Sequence, residues 1–205
     1  IDVDVFNNEG TSVKDGEKGE LVVKKPFPSM PVKFWGDDDG QKYHKAYFNR
    51  FENIWHHGDF IERTMNNGFI MRGRSDATLN PGGVRIGTSE IYQQVEDIDF
   101  ITEGLVVGQD YNDDVRIILF ITTKNDEKLD EEKIKTIKSR IRKNCSPKHV
   151  PSIIIKAPEI PKTKSGKIVE LAVKKIINGE QINNKEAIAN PDCLNFFDNL
   201  SELNN

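Results

Sequence analysis

The chain has 205 residues, 36% hydrophobic and 30% charged, which is enough for one ordinary domain or for one domain with part of another. Its net charge of −4 and pI near 5.7 exclude the chain-wide basic field that draws proteins onto nucleic acid. No apolar run is long enough to cross a membrane as a helix, and the two cysteines, Cys145 and Cys193, form no CxxC pair, so a reduced, cytoplasmic setting is expected.

Residues 1–75 read mostly as β-structure. "IDVDVF" alternates and opens on Ile1, as expected of a chain that starts inside a larger protein. "GELVVKK" is a short apolar run after a glycine. "FIERTMNNGFIMRGR" predicts a hairpin, with two apolar-rich arms around Asn66-Asn67-Gly68. Between them, "PFPSMPVKFWGDDDGQKY" carries three prolines and a triple Asp. It reads as neither strand nor helix, and irregular stretches of that length usually serve a function or pack on something.

The pattern changes at Gly73-Arg74-Ser75-Asp76. "TLNPGGVRI" predicts a short hairpin-like piece, and Ile91, Val95 and Ile98 then mark the buried stripe of a helix. "GLVVGQ" and "VRIILFITT" are strands joined by a turn at "NDD". Asp130 caps a helix with Ile134, Ile137, Ile141 and Cys145 on one face. "SIIIKA" is a buried strand, and "IVELAVKKII" a helix ending at Asn178-Gly179. Two short helical pieces are expected around Lys185–Ala189 and Asp192–Leu200. The fold class is α+β: a β-rich part over 1–75, then a domain over 76–205 with about three sheet strands, a β-hairpin and packed helices.

Four stretches carry candidate chemistry. "PKTKSGK" at 161–167 invites comparison with the phosphate loop G-x-x-x-x-G-K-[ST]. Pro161 stands where its first glycine belongs, and Ile168 follows the lysine, so it is not one. The ordinary reading is a solvated basic turn. Against that, Gly166 permits close backbone approach, and Lys167 sits ahead of a helix where positive potential gathers, able to meet a phosphate or carboxylate. "HHGDF" at 56–60 suggests a metal, but strand neighbours point to opposite faces, so no metal is expected. Asp59, at a strand end, reads better as an acceptor for hydroxyl groups such as those of a ribose. In "GRSDATLNPGGVRIG", Gly82-Gly83 clears side chains where something passes close, and Arg74 and Arg85 can each face a phosphate; a tight hairpin with surface arginines explains them equally well. Residues 124–185 hold more basic than acidic groups, either a solvated face or a seat for a ligand's phosphates.

Taken together, "HGDF", "GRSD", "NPGGVRIGTSEIY" and "PKTKSGK", in this order, resemble the adenylate-forming superfamily of acyl-CoA synthetases, luciferases and peptide-synthetase adenylation domains. "KPFPSMPVKFWGD", "SPKHVP" and "NKEAIANPDCLNFF" resemble its acetoacetate-activating members in particular. Its acetate-activating members tend to carry a serine where this chain has Gly82.

The resemblance implies a ligase that uses ATP with Mg²⁺ and then CoA to turn acetoacetate into its thioester. It makes Lys167 the catalytic lysine, and Asp59, Arg74 and Arg85 the ATP and AMP contacts. Gly82, Gly83 and Arg142 become CoA contacts, and Asp76 the hinge. It implies that 1–75 is the last β subdomain of a large N-terminal domain and 76–205 the small mobile domain. The superfamily's phosphate loop and acyl pocket have no counterpart here, so these residues alone are expected to be inactive. Another short acid such as acetate or propionate, or a non-catalytic nucleotide- or CoA-binding role, are the alternatives.

Overall fold

The structure is a computed structural model that describes residues 1–182 and 185–204. The chain divides into two compact units, Ile1–Asp76 and Ala77–Asn205.

The first unit is a four-stranded antiparallel sheet in the order β1-β2-β3-β4. Its strands are β1 (Val3–Phe6), β2 (Lys18–Val23), β3 (Trp55–Arg63) and β4 (Phe69–Arg74). The expected hairpin is β3–β4, turning through Asn67 at φ 58°. Val5, Val13 and Ile61 make a small core with Leu21 against it.

The irregular stretch does end in a helix, α1 (Gln41–Tyr47), which the sequence reading disfavoured. The aspartates there start the helix. Asp37 is buried, and its carboxylate accepts the backbone N–H groups of Lys42 at 2.9 Å and Tyr43 at 2.8 Å, satisfying donors that a helix start leaves open. Tyr47 then stacks on the buried Trp55, ring centroids 3.7 Å apart, which docks the helix on β3.

The second unit is built on a three-stranded sheet of β5 (Ile101–Tyr111), β6 (Asp114–Thr123) and β7 (Ile153–Lys156). β5 and β6 are antiparallel, joined through Asn112 and Asp113, both at positive φ as a two-residue hairpin turn requires; β7 runs parallel to β6. The apolar runs of β5 and β6 are nearly continuous because both sheet faces are covered. Val106, Ile117, Leu119 and Ile121 pack on Ile91 and Val95 of α2 (Thr88–Val95) and on Ile137 and Ile141 of α3 (Glu131–Asn144). Leu105, Val107, Ile118 and Phe120 face the other way, against Val173 of α4 (Glu170–Ile177) and against Phe197.

Asp130 caps α3 as read, its side chain accepting the Lys133 N–H at 2.9 Å. Ile98 is buried but lies past the end of α2. The short helical pieces expected in the tail are 3₁₀ turns, Lys185–Ala187 and Pro191–Phe197, followed by a further one, Ser201–Leu203.

One buried polar contact ties three elements together. The Tyr92 hydroxyl, on α2, donates to a Glu170 carboxylate oxygen at 2.5 Å in the first turn of α4, and accepts the Val106 N–H of β5 at 3.1 Å. Burial, with the Glu170 charge beside it, pushes the Tyr92 phenol well above its ordinary pKa.

Candidate active site

In the first unit the residues gather where the strands lose register. β2 pairs with β3 through Glu20↔Phe60 and Val22↔His56, so the extra residues of β3 bulge out between them and carry His57, Gly58 and Asp59. Bulges of this kind re-aim side chains. Asp59 therefore lies inside β3, not at a strand end as the sequence suggested, and stands directly opposite Arg74 on β4.

The bulge brings charges together. His57 Nε2 lies 3.3 Å from Asp59 Oδ2, and Arg74 Nη1 lies 3.8 Å from Asp59 Oδ1. Arg74 also donates to both carboxylate oxygens of Asp76, from Nε at 3.3 Å and Nη2 at 3.2 Å. This two-pronged bond to Asp76 raises the Arg74 pKa further above its ordinary value. Asp76 itself belongs to a 3₁₀ turn, Ser75–Ala77.

Gly58 makes this arrangement possible and escaped the sequence reading. Its φ is 85°, and a β-carbon there would sit 3.3 Å from Arg74 Nη2 and 3.4 Å from Nη1. The guanidinium lies close against the glycine. The two histidines part company: His56 turns to the carboxylate of Glu20 at 2.9 Å, while His57 accepts from the Trp55 indole at 3.3 Å. They do not converge.

In the second unit the lysine loop is a tight turn closed by the Lys162↔Ile168 bridge. Thr163 organises it. Its oxygen atoms accept the N–H groups of Gly166 (backbone, 2.8 Å) and Lys167 (hydroxyl, 3.1 Å), and Gly166 has φ 82°. Helix α4 begins at Glu170, with Val169 as its cap, so Lys167 lies in the loop two residues ahead of that cap. The three lysines differ in company. Lys162 is half-buried and paired with Glu103, while Lys164 and Lys167 are exposed.

The Gly82-Gly83 turn lies elsewhere in the same unit. Leu79 and Ile86 bridge its base, with Arg85 half-buried beside them. Gly82 donates its N–H to Asp114 Oδ1 at 2.8 Å, and the bond lowers the Asp114 pKa. Both glycines have positive φ, 56° and 76°. A β-carbon at 82 would meet Lys148 Nζ at 2.5 Å, whereas one at 83 would meet nothing within 4 Å. Open space, not crowding, therefore surrounds Gly83. Arg142 is exposed in the last turn of α3.

Lys167 and Gly82 are not brought together. Lys162, in the lysine loop, reaches Glu103 near the start of β5; Gly82 reaches Asp114, which pairs with Tyr111 at the end of that strand. Eight residues of strand separate the two attachments, roughly 26 Å.

Along 201 residues, 98% of its length, the chain is 57% identical to an acetoacetyl-coenzyme A synthetase from Rhizobium meliloti. By sequence, this chain groups with the acetoacetyl-CoA synthetases. A chicken (Gallus gallus) acetoacetyl-CoA synthetase is 45% identical over 99% of the chain. Among solved structures, the acetoacetyl-CoA synthetase from Streptomyces lividans matches all of it, with a TM-score of 0.90 at 38% identity. A benzoate CoA ligase from Burkholderia xenovorans matches 84% of it, with a TM-score of 0.70 at 26% identity. The chain spans about 31% of the length of the acetoacetyl-CoA synthetases it matches. No protein-family model matches it. Among the described residues no helix is long and apolar enough to cross a membrane.

Proposed function

We propose that this sequence works as the C-terminal part of a cytoplasmic acid–thiol ligase that activates acetoacetate with ATP and passes it to CoA. The observation that carries this reading is the 57% identity to an acetoacetyl-CoA synthetase over 98% of the chain. In the first half-reaction a carboxylate oxygen bonds to the α-phosphorus of ATP and pyrophosphate leaves. In the second, the CoA sulfur bonds to the acyl carbon of the adenylate, its proton is lost, and AMP leaves.

The first step sets two anions against each other and needs a fixed cation where charge gathers. We assign that cation to Lys167, whose exposed side chain projects from a turn held by Thr163. Asp59, held between His57 and Arg74, is the acceptor for the ribose hydroxyls; Arg74 and Arg85 attend the nucleotide. Mg²⁺ would arrive on the ATP phosphates. The open space at Gly83 suits a slender thiol-bearing arm, with Gly82 beside it and Arg142 for a CoA phosphate.

The separation of Lys167 from Gly82 supports using them in turn. One attachment is at the start of β5 and the other at its end, so presenting both to one reaction centre requires the second unit to turn. We read residues 1–75 as the last β subdomain of a large domain, 76–205 as the mobile domain, and Asp76 as the hinge.

The test is an assay of the whole protein with acetoacetate, acetate and propionate, scoring pyrophosphate and AMP separately. The reading expects the highest kcat/KM for acetoacetate. A preference for acetate or propionate would overturn the substrate assignment, and no acid-dependent pyrophosphate with any of them would overturn the ligase.

A further inference from the structure

Glu20 is a carboxylate with no exposed surface, placed on β2 beside the bulge of β3. A buried charge is a poor way to gain stability, because desolvation offsets most of what its partners return. Three of its partners come from separate segments. Arg50, in the loop after α1, lies 3.1 Å from Oε1. His56, at the edge of the bulge, lies 2.9 Å from Oε2, and the Ser75 hydroxyl donates to the same oxygen.

The position of Ser75 gives the cluster its meaning. It follows Arg74 and precedes Asp76. We propose that Glu20 is a positioning residue that fastens Ser75 into the first unit, so that the backbone is fixed through residue 75 and rotation begins at Asp76. This rests on the reading of Asp76 as the hinge. The anchor confines the pivot to one side of a defined peptide bond, while Arg74 keeps its register opposite Asp59 through the pairing of β3 with β4. Glu20 is 55 residues from Ser75 in sequence, and His56, which the metal reading would have claimed, is spent on the same carboxylate.

Ser75→Ala is the clean probe, because Glu20 keeps Arg50 and His56 and the unit stays folded. In the whole protein, trypsin cleavage after Arg74 should quicken at least severalfold in Ser75→Ala and return to the wild-type rate in Ser75→Thr. Adenylate formation should stay within about twofold, while overall thioester formation slows about tenfold and recovers in Ser75→Thr. Unchanged cleavage after Arg74 would overturn the anchor. Equal loss of both half-reactions, in step with the melting temperature, would overturn the link to rotation. If the wild-type protein makes no pyrophosphate from any acid, the ligase reading fails, while the cleavage comparison still decides whether Ser75 is fastened.

Discussion

Gly58 and Arg74 are fitted to each other across neighbouring strands: the guanidinium lies where a β-carbon on residue 58 would sit 3.3 Å from it. Gly58→Ala should act twice. At φ 85° an L-residue is strained by about 1–2 kcal/mol, which lowers the melting temperature. Arg74 must also shift, and losing a charge-assisted contact worth about 1.5–3 kcal/mol should raise the KM for ATP tenfold or more. Steady-state kinetics with ATP varied check this. A lower melting temperature with an unchanged KM would show that the glycine serves the bulge and not the arginine.

The bulge also marks how far the sequence carried. Local signals survived intact: the hairpin turns at Asn67 and Asn112-Asp113, the Asp130 cap, and the helix end at Gly179. Each depends on residues a few positions apart. What failed depended on distance or on competition. Helix α1 was hidden because its start is stabilised by Asp37, three residues ahead of the Gly40 cap and inside what looked like a helix-breaking run. Asp59 was misplaced at a strand end because register is set by pairing with β2, about 40 residues earlier. The start of α4 was set too early because Ile168 is taken by its bridge to Lys162. The Glu20 cluster joins residues up to 55 apart, and no spacing rule finds it.

The three lysines of the loop should separate on substitution. Lys167→Ala, at an exposed site, should change stability by less than about 0.5 kcal/mol. It should slow adenylate formation by on the order of 10²–10³. Thioester formation from supplied adenylate should persist. Lys162→Ala removes the half-buried pair with Glu103 and should destabilise the unit by about 1 kcal/mol, with a modest loss of rate. Lys164→Ala should be silent. Chemical denaturation and pyrophosphate release, measured on all three, discriminate them; equal losses in both half-reactions for Lys167→Ala would remove its catalytic role.

Tyr92 predicts an alkaline signature. Its phenol is held neutral in the folded chain, with a pKa raised well above the unfolded value of about 10 by burial and by Glu170. Between those two values the folded state binds the extra proton, so stability is complete below pH 10 and falls as pH rises beyond it. Tyr92→Phe leaves the Val106 N–H and the Glu170 carboxylate without this partner and should cost about 1–3 kcal/mol at pH 7. It should also flatten the loss above pH 10. Denaturation midpoints from pH 7 to 11 check both; parallel curves for the two proteins would show that another group sets the alkaline limb.

Gly82 and Gly83 offer a comparison between strain and obstruction. Both have positive φ, so alanine at either should cost about 1–2 kcal/mol. They differ in space. A β-carbon at 82 displaces only the flexible end of Lys148, whereas 83 opens on nothing within 4 Å. If that opening is the path of the CoA arm, Gly83→Leu should raise the KM for CoA well beyond Gly83→Ala at the same stability. Pyrophosphate release in the absence of CoA should keep its wild-type rate. Gly82→Ala should shift CoA kinetics only as far as moving Lys148 does. Should Gly83→Leu and Gly83→Ala prove kinetically alike, the glycine is there for its φ, and the thiol must reach the acyl carbon by another route.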